Sequence, residues 1–305
     1  MTRLSTENHF NSRIFNTDST YYRTDTQHIK KIPKLPESLL KLIEHINSTS
    51  IEMTSERLAT YVKESDVRET DLMEWSDYSH STINSYGRNL IIQGEYDNYE
   101  ILVMSWNPGD FSAIHNHGDG IQWGAVKFFG SAIHNVFKTK GRILECAFQE
   151  ITSNGQINHI QPDLIHQMGV SPFGDRLLSL HIYGSRYRSI NGVTANSRIY
   201  DIYYQIFQYT NGGVFFHLPK EQLTQCSEGI GGDSLSMRIH CVTLLIRTLM
   251  ILRNPPMNLT SKQRTEFIHL AKNLWDELFH TELPVTNETG LINCVWERSY
   301  GTFPK

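Results

Sequence analysis

Two histidines separated by a single residue, His115 and His117, come shortly after an apolar, strand-like run at residues 101–106. Alternate side chains of a strand point to the same face, so both imidazoles can reach one small cation. A third imidazole is available further along the chain at His166. Three neutral imidazoles suit a borderline divalent ion, and their spacing does not choose among iron, zinc, copper and nickel. The sequence therefore predicts a metal site made of these three histidines.

Asp119 is an alternative ligand, because it continues the alternation of His115 and His117 by one more step. A carboxylate at that position would give a mixed ligand set of two histidines and one acid. Glycines flank it at Gly118 and Gly120, which indicates that the strand has ended before Asp119. The prediction is therefore the three-histidine set, with Asp119 as the alternative.

Short strand-like runs separated by turn residues fill the middle of the chain. The predicted strands lie at 89–93, 99–106, 124–129, 135–138, 142–151, 157–160 and 177–183. Asn154 and Gly155 form a strong hairpin turn, because both residue types tolerate positive φ. Many short strands at this spacing predict an antiparallel barrel or jelly roll.

The strand predicted at 177–183 carries a polar row and an apolar row. A period of two residues places Ser179, His181 and Tyr183 on one face and the intervening leucines and isoleucine on the other. We expect the apolar row to face bulk core. The polar row should face a cavity, where its members can hydrogen-bond along the strand.

Helical patterns flank this β region. An apolar stripe over 39–46 and a second short helix from about residue 54 precede it. A long apolar run at 235–253 ends before Pro255 and Pro256, and a capping-box pair, Thr260 and Gln263, starts a further amphipathic helix. The predicted organisation is a polar arm at 1–34, a barrel domain at 35–195 and a mainly helical extension at 196–305.

The composition limits the classes of partner. The net charge of the 305 residues is −4, so no basic field is available to attract nucleic acid or an anionic membrane. The four cysteines are scattered and form no C-x-x-C pair, which is typical of reduced thiols in a cytoplasmic protein. The N-terminus lacks an apolar core of signal-peptide length, and the most apolar later run contains Arg247. We predict a cytoplasmic protein without nucleic-acid or membrane partners.

Linked motifs resemble those of the cysteine dioxygenases, members of the cupin superfamily. Residues 86–94, YGRNLIIQG, are similar to the stretch that precedes the metal motif in that family. The spacing G-x5-H-x-H from Gly109 to His117 fits the first cupin motif, and His166 resembles the histidine of the second. Residues 179–183, SLHIY, are close to a further family signature. The resemblance covers roughly residues 36–190, and the order of the motifs makes it specific.

This resemblance implies a mainly β fold, a cupin (double-stranded β-helix or jelly-roll) barrel with helices at both ends. It implies Fe(II) held by the three histidines, with the thiol of free cysteine converted to a sulfinate by O2. Arg88 would match the arginine that binds the substrate carboxylate, and Tyr86 the nearby active-site tyrosine. Ser179, His181 and Tyr183 would match the catalytic triad beside the metal. The helical extension has no counterpart that we recognise in the family.

The chain departs from the family pattern just after the first motif. Many cupins carry a glutamate ligand where Gln122 stands here, and a neutral amide is a poor ligand. Animal cysteine dioxygenases have a cysteine near this point that forms a thioether with the active-site tyrosine. The candidates here are Gln122 and Trp123, so that cross-link cannot form. Either side chain is a candidate to face the metal and contact substrate.

The predicted function is that of a non-haem Fe(II) thiol dioxygenase, with O2 and a small carboxylate-bearing thiol, expected to be L-cysteine, as substrates. A cupin oxygenase that acts on another small amino acid, or on a thiol acid such as 3-mercaptopropionate, is the first alternative. A non-catalytic cupin binding module is the second. The oligomeric state stays open.

Overall fold

The computed structural model describes residues 34–49, 52–94, 98–118, 120–186, 192–284 and 287–300. The polar arm predicted at 1–34 lies outside the described residues except for Lys34, and so does the alternative ligand Asp119.

Three short helices open the described chain: α1 (Glu37–Ser48), α2 (Ser55–Glu64) and α3 (Glu69–Leu72), the last followed by a 3-10 turn at Met73–Trp75. The stripe predicted over 39–46 is the buried face of α1. Thr54 caps α2 by accepting a hydrogen bond from the Arg57 amide. Ser55 then fastens α2 to the barrel, because its Oγ donates to the Ile160 carbonyl (2.6 Å) and accepts from the Gly124 amide (3.0 Å).

Thirteen strands follow. In chain order they are β1 (Gly87–Gln93), β2 (Tyr99–Trp106), β3 (His115–Asn116), β4 (Trp123–Phe129), β5 (Ile133–Lys140), β6 (Ile143–Ile151), β7 (Ile157–Ile160), β8 (Ile165–Gly169), β9 (Leu177–Gly184), β10 (Ser197–Asp201), β11 (Ile206–Thr210), β12 (Leu223–Glu228) and β13 (Gly231–Gly232). One sheet has the order β1-β2-β9-β4-β7, and the other has the order β12-β11-β10-β3-β8-β5-β6-β13. Only the pairing of β13 with β6 is parallel among these described strands. The predicted fold class, a mainly β cupin barrel with helices at both ends, is confirmed.

The side chains of β9 separate as their period predicts. Leu178, Leu180 and Ile182 join the core cluster that the N-terminal helices cover. Tyr183 belongs to the cluster between the two sheets, and it is hydrogen-bonded to His181. The polar row of this strand therefore faces the interior of the barrel, and the apolar row packs beneath α1 and α2.

The boundary predicted at residue 196 is wrong, because the second sheet continues beyond it. Ile199 on β10 lies opposite His115 on β3, and β11 and β12 extend the sheet from there. The helices begin only at Ser234. Sequence periodicity misses β12 because that strand reads LTQCSE, with no residue fully buried and no apolar alternation.

The C-terminal helices are α4 (Ser234–Arg253), α5 (Ser261–Phe279) and α6 (Glu288–Tyr300). Thr260 and Gln263 form the capping box expected at the start of α5. Helix α4 is long and apolar enough to cross a membrane, but 78% of its apolar window is buried inside the protein. It packs against α5 and α6 and against residues of the second sheet, which explains its apolar composition on nearly all sides. Helix α6 was not predicted.

A buried arginine joins α4 to the barrel. The Arg247 guanidinium is 1% exposed and pairs with the Asp110 carboxylate, in the loop that leads into the metal motif. It also donates to the carbonyls of Gly109 (3.1 Å) and Thr82 (2.6 Å). The other Asp110 oxygen contacts His80 Nε2 at 3.0 Å. One side chain of the helical segment therefore fixes two loops of the barrel.

Candidate metal centre

The three predicted histidines come together inside the barrel. His115 on β3 pairs with His166 on β8, and His117 follows directly after β3. The candidate ligand atoms of the three rings lie within 4.8 Å of one another, and Nε2 of His117 is 3.2 Å from Nε2 of His166. Exposure is 5% or less for each residue. This is the geometry that a single bound cation requires.

The donor chemistry of the trio fits a divalent metal. His115 Nδ1 lies 2.9 Å from the Ala113 carbonyl, which can only accept, so this nitrogen carries the proton and Nε2 keeps a lone pair. Burial lowers the pKa of His115 to about 4 and the pKa of His117 and His166 well below the ordinary value. The rings are therefore neutral at neutral pH, as metal-ligating imidazoles must be.

His117 differs from the other two histidines in its outer nitrogen. Its Nδ1 is buried without a hydrogen-bond partner among the described residues. A buried polar atom that has no hydrogen-bond partner lowers the stability of the fold. Such atoms are typical of functional sites, where ligand binding and not stability sets the geometry. The position of the His117 ring is the one needed for the three histidines to converge on a shared ion.

A hydrogen-bonded row on β9 lies beside the trio. Trp106 Nε1 donates to Ser179 Oγ (2.9 Å), which contacts His181 Nε2 (2.8 Å), and His181 Nδ1 contacts the Tyr183 hydroxyl (2.8 Å). Because Ser179 already accepts from Trp106, donating its own proton to His181 satisfies both groups. His181 then donates to the Tyr183 oxygen, and the Tyr183 proton stays available to a ligand in the cavity.

Arg88 lies in the wall of the same cavity, with its side chain 16% exposed. It donates to Thr194 Oγ1 (3.1 Å), and Thr194 donates onward to Glu100 (2.9 Å). The Glu100 carboxylate is itself 4.0 Å from the guanidinium. Among the described residues Arg88 donates to no other side chain, so much of its donor fork can face a bound anion.

Tyr86 is part of the same wall. Its hydroxyl accepts a hydrogen bond from the Val214 amide at 3.0 Å, and its ring stacks on Trp106 with 4.4 Å between centroids. Residues on both sides of the barrel therefore hold the ring in place.

The cavity in front of the trio is small. Its volume is about 30 Å³. Its lining combines imidazole, guanidinium and hydroxyl groups with apolar side chains: Tyr86, Arg88, Met104, Trp106, Ser112, His115, His117, His166, Met168, His181, Tyr183, Thr194, Ser197, Gly212 and Val214. A site of this size suits a ligand of few atoms.

Neither Gln122 nor Trp123 belongs to this lining. Trp123 packs in the outer cluster beneath the N-terminal helices, and Gln122 Oε1 accepts from the Arg186 amide at 2.9 Å. The residue that faces the tyrosine is Gly124, which pairs with Tyr183 across β4 and β9. A Cβ at this glycine would lie 3.1 Å from the Tyr183 ring. The prediction that Gln122 or Trp123 faces the metal is therefore wrong, and Gly124, the residue opposite Tyr183, has no thiol for a cross-link.

Sequence reasoning missed two groups of residues around the site. Ser197, Gly212 and Val214 complete the cavity wall from the segment predicted to be mainly helical, and Thr194 lies just before that segment. His134 is the second, because its Nε2 lies 2.9 Å from Nδ1 of His166. His134 lies opposite Glu150 through the pairing of β5 with β6, whose connecting turn contains Gly141.

Comparison with known proteins connects this site to one family. Residues 52–193 match the family model described as cysteine dioxygenase type I. No curated protein matches the chain. Among solved structures, it is similar to a cupin-2 domain from Rhodospirillum rubrum (15% identity, 37% of this chain and 68% of that chain, TM-score 0.28).

A second solved structure, with a double-stranded β-helix domain, comes from Klebsiella pneumoniae (12% identity, 39% of this chain and 90% of that chain, TM-score 0.29). A third is the protein TT1209 from Thermus thermophilus (12% identity, 39% and 97%, TM-score 0.30). The matched segment 52–193 contains the three histidines and the β9 row, as the resemblance predicted. Residues 52–193 of this chain are therefore similar to the cysteine dioxygenase type I family.

Proposed function

We propose that the protein is a non-haem Fe(II) thiol dioxygenase that oxidises a small carboxylate-bearing thiol, with L-cysteine as the expected substrate. The overall reaction is RS⁻ + O2 → RSO2⁻, in which sulfur loses four electrons and both oxygen atoms enter the product. The observation that carries this proposal is the set of three neutral imidazoles that converge beside Arg88 and Tyr183 in one small cavity. The match of residues 52–193 to the cysteine dioxygenase type I family model supports it.

His115, His117 and His166 would hold the iron. Held by three neutral ligands, Fe(II) would keep its full charge and would favour the thiolate form of the substrate over the thiol. The fit rests on this chain's own donor set, since nitrogen ligands suit iron and the site offers no carboxylate among the described residues. Burial of the three rings also keeps bulk water away from the reacting groups.

Arg88 would hold the substrate carboxylate. Its planar fork of donors matches a carboxylate in two parallel hydrogen bonds, and Thr194 and Glu100 fix its position from behind. Tyr183 would donate its proton to a bound ligand. Burial raises the pKa of Tyr183, so its hydroxyl stays protonated and can act as a donor at neutral pH.

Loading with iron and supplying substrate tests the proposal. The protein is loaded with Fe(II) under anaerobic conditions, then mixed with L-cysteine and O2, and sulfinate and O2 uptake are measured. The expected result is cysteine sulfinate with about one O2 consumed per thiol, as the balanced reaction requires. The same assay with 3-mercaptopropionate identifies a thiol acid as substrate. Iron binding with no O2 uptake for any small thiol contradicts an enzymatic role.

Replacing Arg88 with alanine should raise the KM for L-cysteine by about 10- to 150-fold, the loss expected for one charge-assisted interaction of about 1.5–3 kcal/mol. Iron content should not change, because Arg88 does not contact the three histidines through any described hydrogen bond. Cysteamine, which lacks the carboxylate, is the substrate control, and Arg142→Ala, on a side chain that is 70% exposed, is the variant control. Unchanged kinetics with L-cysteine would refute the role of Arg88.

A further inference from the structure

A chain of side chains runs from the candidate ligand His166 to the outer edge of the barrel. His166 Nδ1 lies 2.9 Å from His134 Nε2, and His134 Nδ1 lies 2.8 Å from Glu150 Oε1. Asn158 Nδ2 donates to the same carboxylate oxygen at 2.9 Å. His134 is on β5, Glu150 on β6 and Asn158 on β7, so three strands contribute to it. His134 is 5% exposed, whereas the Glu150 side chain is 33% exposed.

The donor and acceptor of each hydrogen bond from Glu150 to His166 can be assigned by starting at Glu150. Partial burial raises the pKa of Glu150, but hydrogen bonds from His134 and Asn158 outweigh this effect and leave the pKa below its ordinary value. An ionised carboxylate only accepts, so His134 must donate from Nδ1. A neutral imidazole carries one proton, and in His134 this proton is on Nδ1, which lies 2.8 Å from the Glu150 carboxylate. Its Nε2 therefore accepts, and the donor must be Nδ1 of His166.

We infer that Glu150 and His134 act as positioning residues that fix His166 in its Nδ1-protonated tautomer, with the Nε2 lone pair aimed at the site. The opposite tautomer would place a proton on the nitrogen that lies 3.2 Å from His117 Nε2. It would also turn a lone pair of His134 toward the Glu150 carboxylate, which is repulsive. The charge on Glu150 therefore selects the ligating form of His166 across one intervening ring.

The three candidate ligands differ in the group that contacts their Nδ1 atom. A neutral backbone carbonyl, that of Ala113, fixes the tautomer of His115. His117 Nδ1 has no hydrogen-bond partner in the described part of the chain. Within the described residues, only His166 is connected to a carboxylate. A carboxylate partner raises the basicity of an imidazole, so His166 should be the strongest donor of the three.

This inference rests on the proposed metal site, but one of its tests does not need a metal. Histidine nitrogen NMR on the metal-free protein reports which ring nitrogen carries the proton, and the His166 signals are assigned by their loss in His166→Ala. The second test is the dissociation constant of Fe(II), measured anaerobically for wild type, Glu150→Ala, Glu150→Gln and Glu145→Gln. Glu145 is the matched control, since it lies on the same strand and pairs instead with Lys138 and Lys140.

We expect His166 in the wild type to carry its proton on Nδ1. Glu150→Ala should populate the other tautomer and weaken Fe(II) binding by about 10- to 100-fold, as is typical when the outer partner of a ligating histidine is lost. Glu150→Gln keeps an acceptor oxygen for His134, so the loss of Fe(II) affinity in this variant should be smaller. Glu145→Gln should bind Fe(II) as the wild type does.

A proton on His166 Nε2 in the wild type would overturn the inference. A Glu150→Ala variant that binds Fe(II) as tightly as the wild type would also overturn it. The tautomer of the wild type needs no variant, so a poorly folded Glu150→Ala does not remove the test. If the wild type binds no Fe(II), the proposed function fails, while the tautomer still decides the role of Glu150 and His134.

Discussion

Iron retention should be lost when His166 is replaced by alanine. The variant keeps two of three ligands, and we expect its Fe(II) affinity to fall by more than the factor of about 100 that marks the loss of an outer partner. His166 has the central position in the trio, because it contacts His117 at 3.2 Å and pairs with His115 on the neighbouring strand. Iron per protein chain, measured after anaerobic loading and desalting, gives the result directly.

The control for this variant is His159→Ala, which removes a histidine whose side chain is 44% exposed on β7. It should retain iron as the wild type does. Far-UV circular dichroism of both variants shows whether the barrel is intact. Full iron occupancy in a folded His166→Ala protein would contradict the three-histidine site.

The second large effect should be on stability, at Arg247. Replacing it with methionine leaves the Asp110 carboxylate, 3% exposed, without its cationic partner from α4. It also removes the donor to the carbonyls of Gly109 and Thr82. Breaking one side of a buried ion pair typically costs about 3–5 kcal/mol, and we expect a loss of that size in the free energy of unfolding. Urea denaturation of the metal-free protein measures it.

Arg253→Met tests the same substitution at the exposed end of the same helix, where the change should be within about 0.5 kcal/mol. The double variant Arg247→Met with Asp110→Asn should be less destabilised than the sum of the two single variants, because removing both charges leaves no unpaired carboxylate. An Arg247→Met protein as stable as the wild type would show that the helical segment is held to the barrel by apolar packing alone.

The parts of the structure that could be predicted are those whose signal is local. The stripe over 39–46 and the alternation of Ser179, His181 and Tyr183 depend only on the period of a helix or a strand. The H-x-H spacing of His115 and His117 is equally local. The barrel and the position of His166 followed from motif order, since a single strand pattern does not say which strands meet.

The missed features depend on pairing between distant segments. Gly124 faces Tyr183 because β4 and β9 pair in one register, and the irregular stretch between His117 and β4 shifts any count made along the sequence. His134 contacts His166 because β5 and β8 are neighbours in the second sheet. Glu150 reaches His134 only through the register of β5 and β6. None of these contacts has a period that sequence analysis can detect.

Residues beyond the family match complete the cavity wall, and this limits how far the protein can be truncated. A fragment that stops at residue 193, where the family match stops, retains every histidine of the trio but lacks Thr194, Ser197 and Val214. Arg88 would lose its hydrogen-bond acceptor, and Tyr86 would lose the Val214 amide that fixes its hydroxyl. Water would enter from that side. A fragment with a complete cavity wall is therefore longer than the family match, and truncations for crystallography or engineering should be placed downstream of Val214.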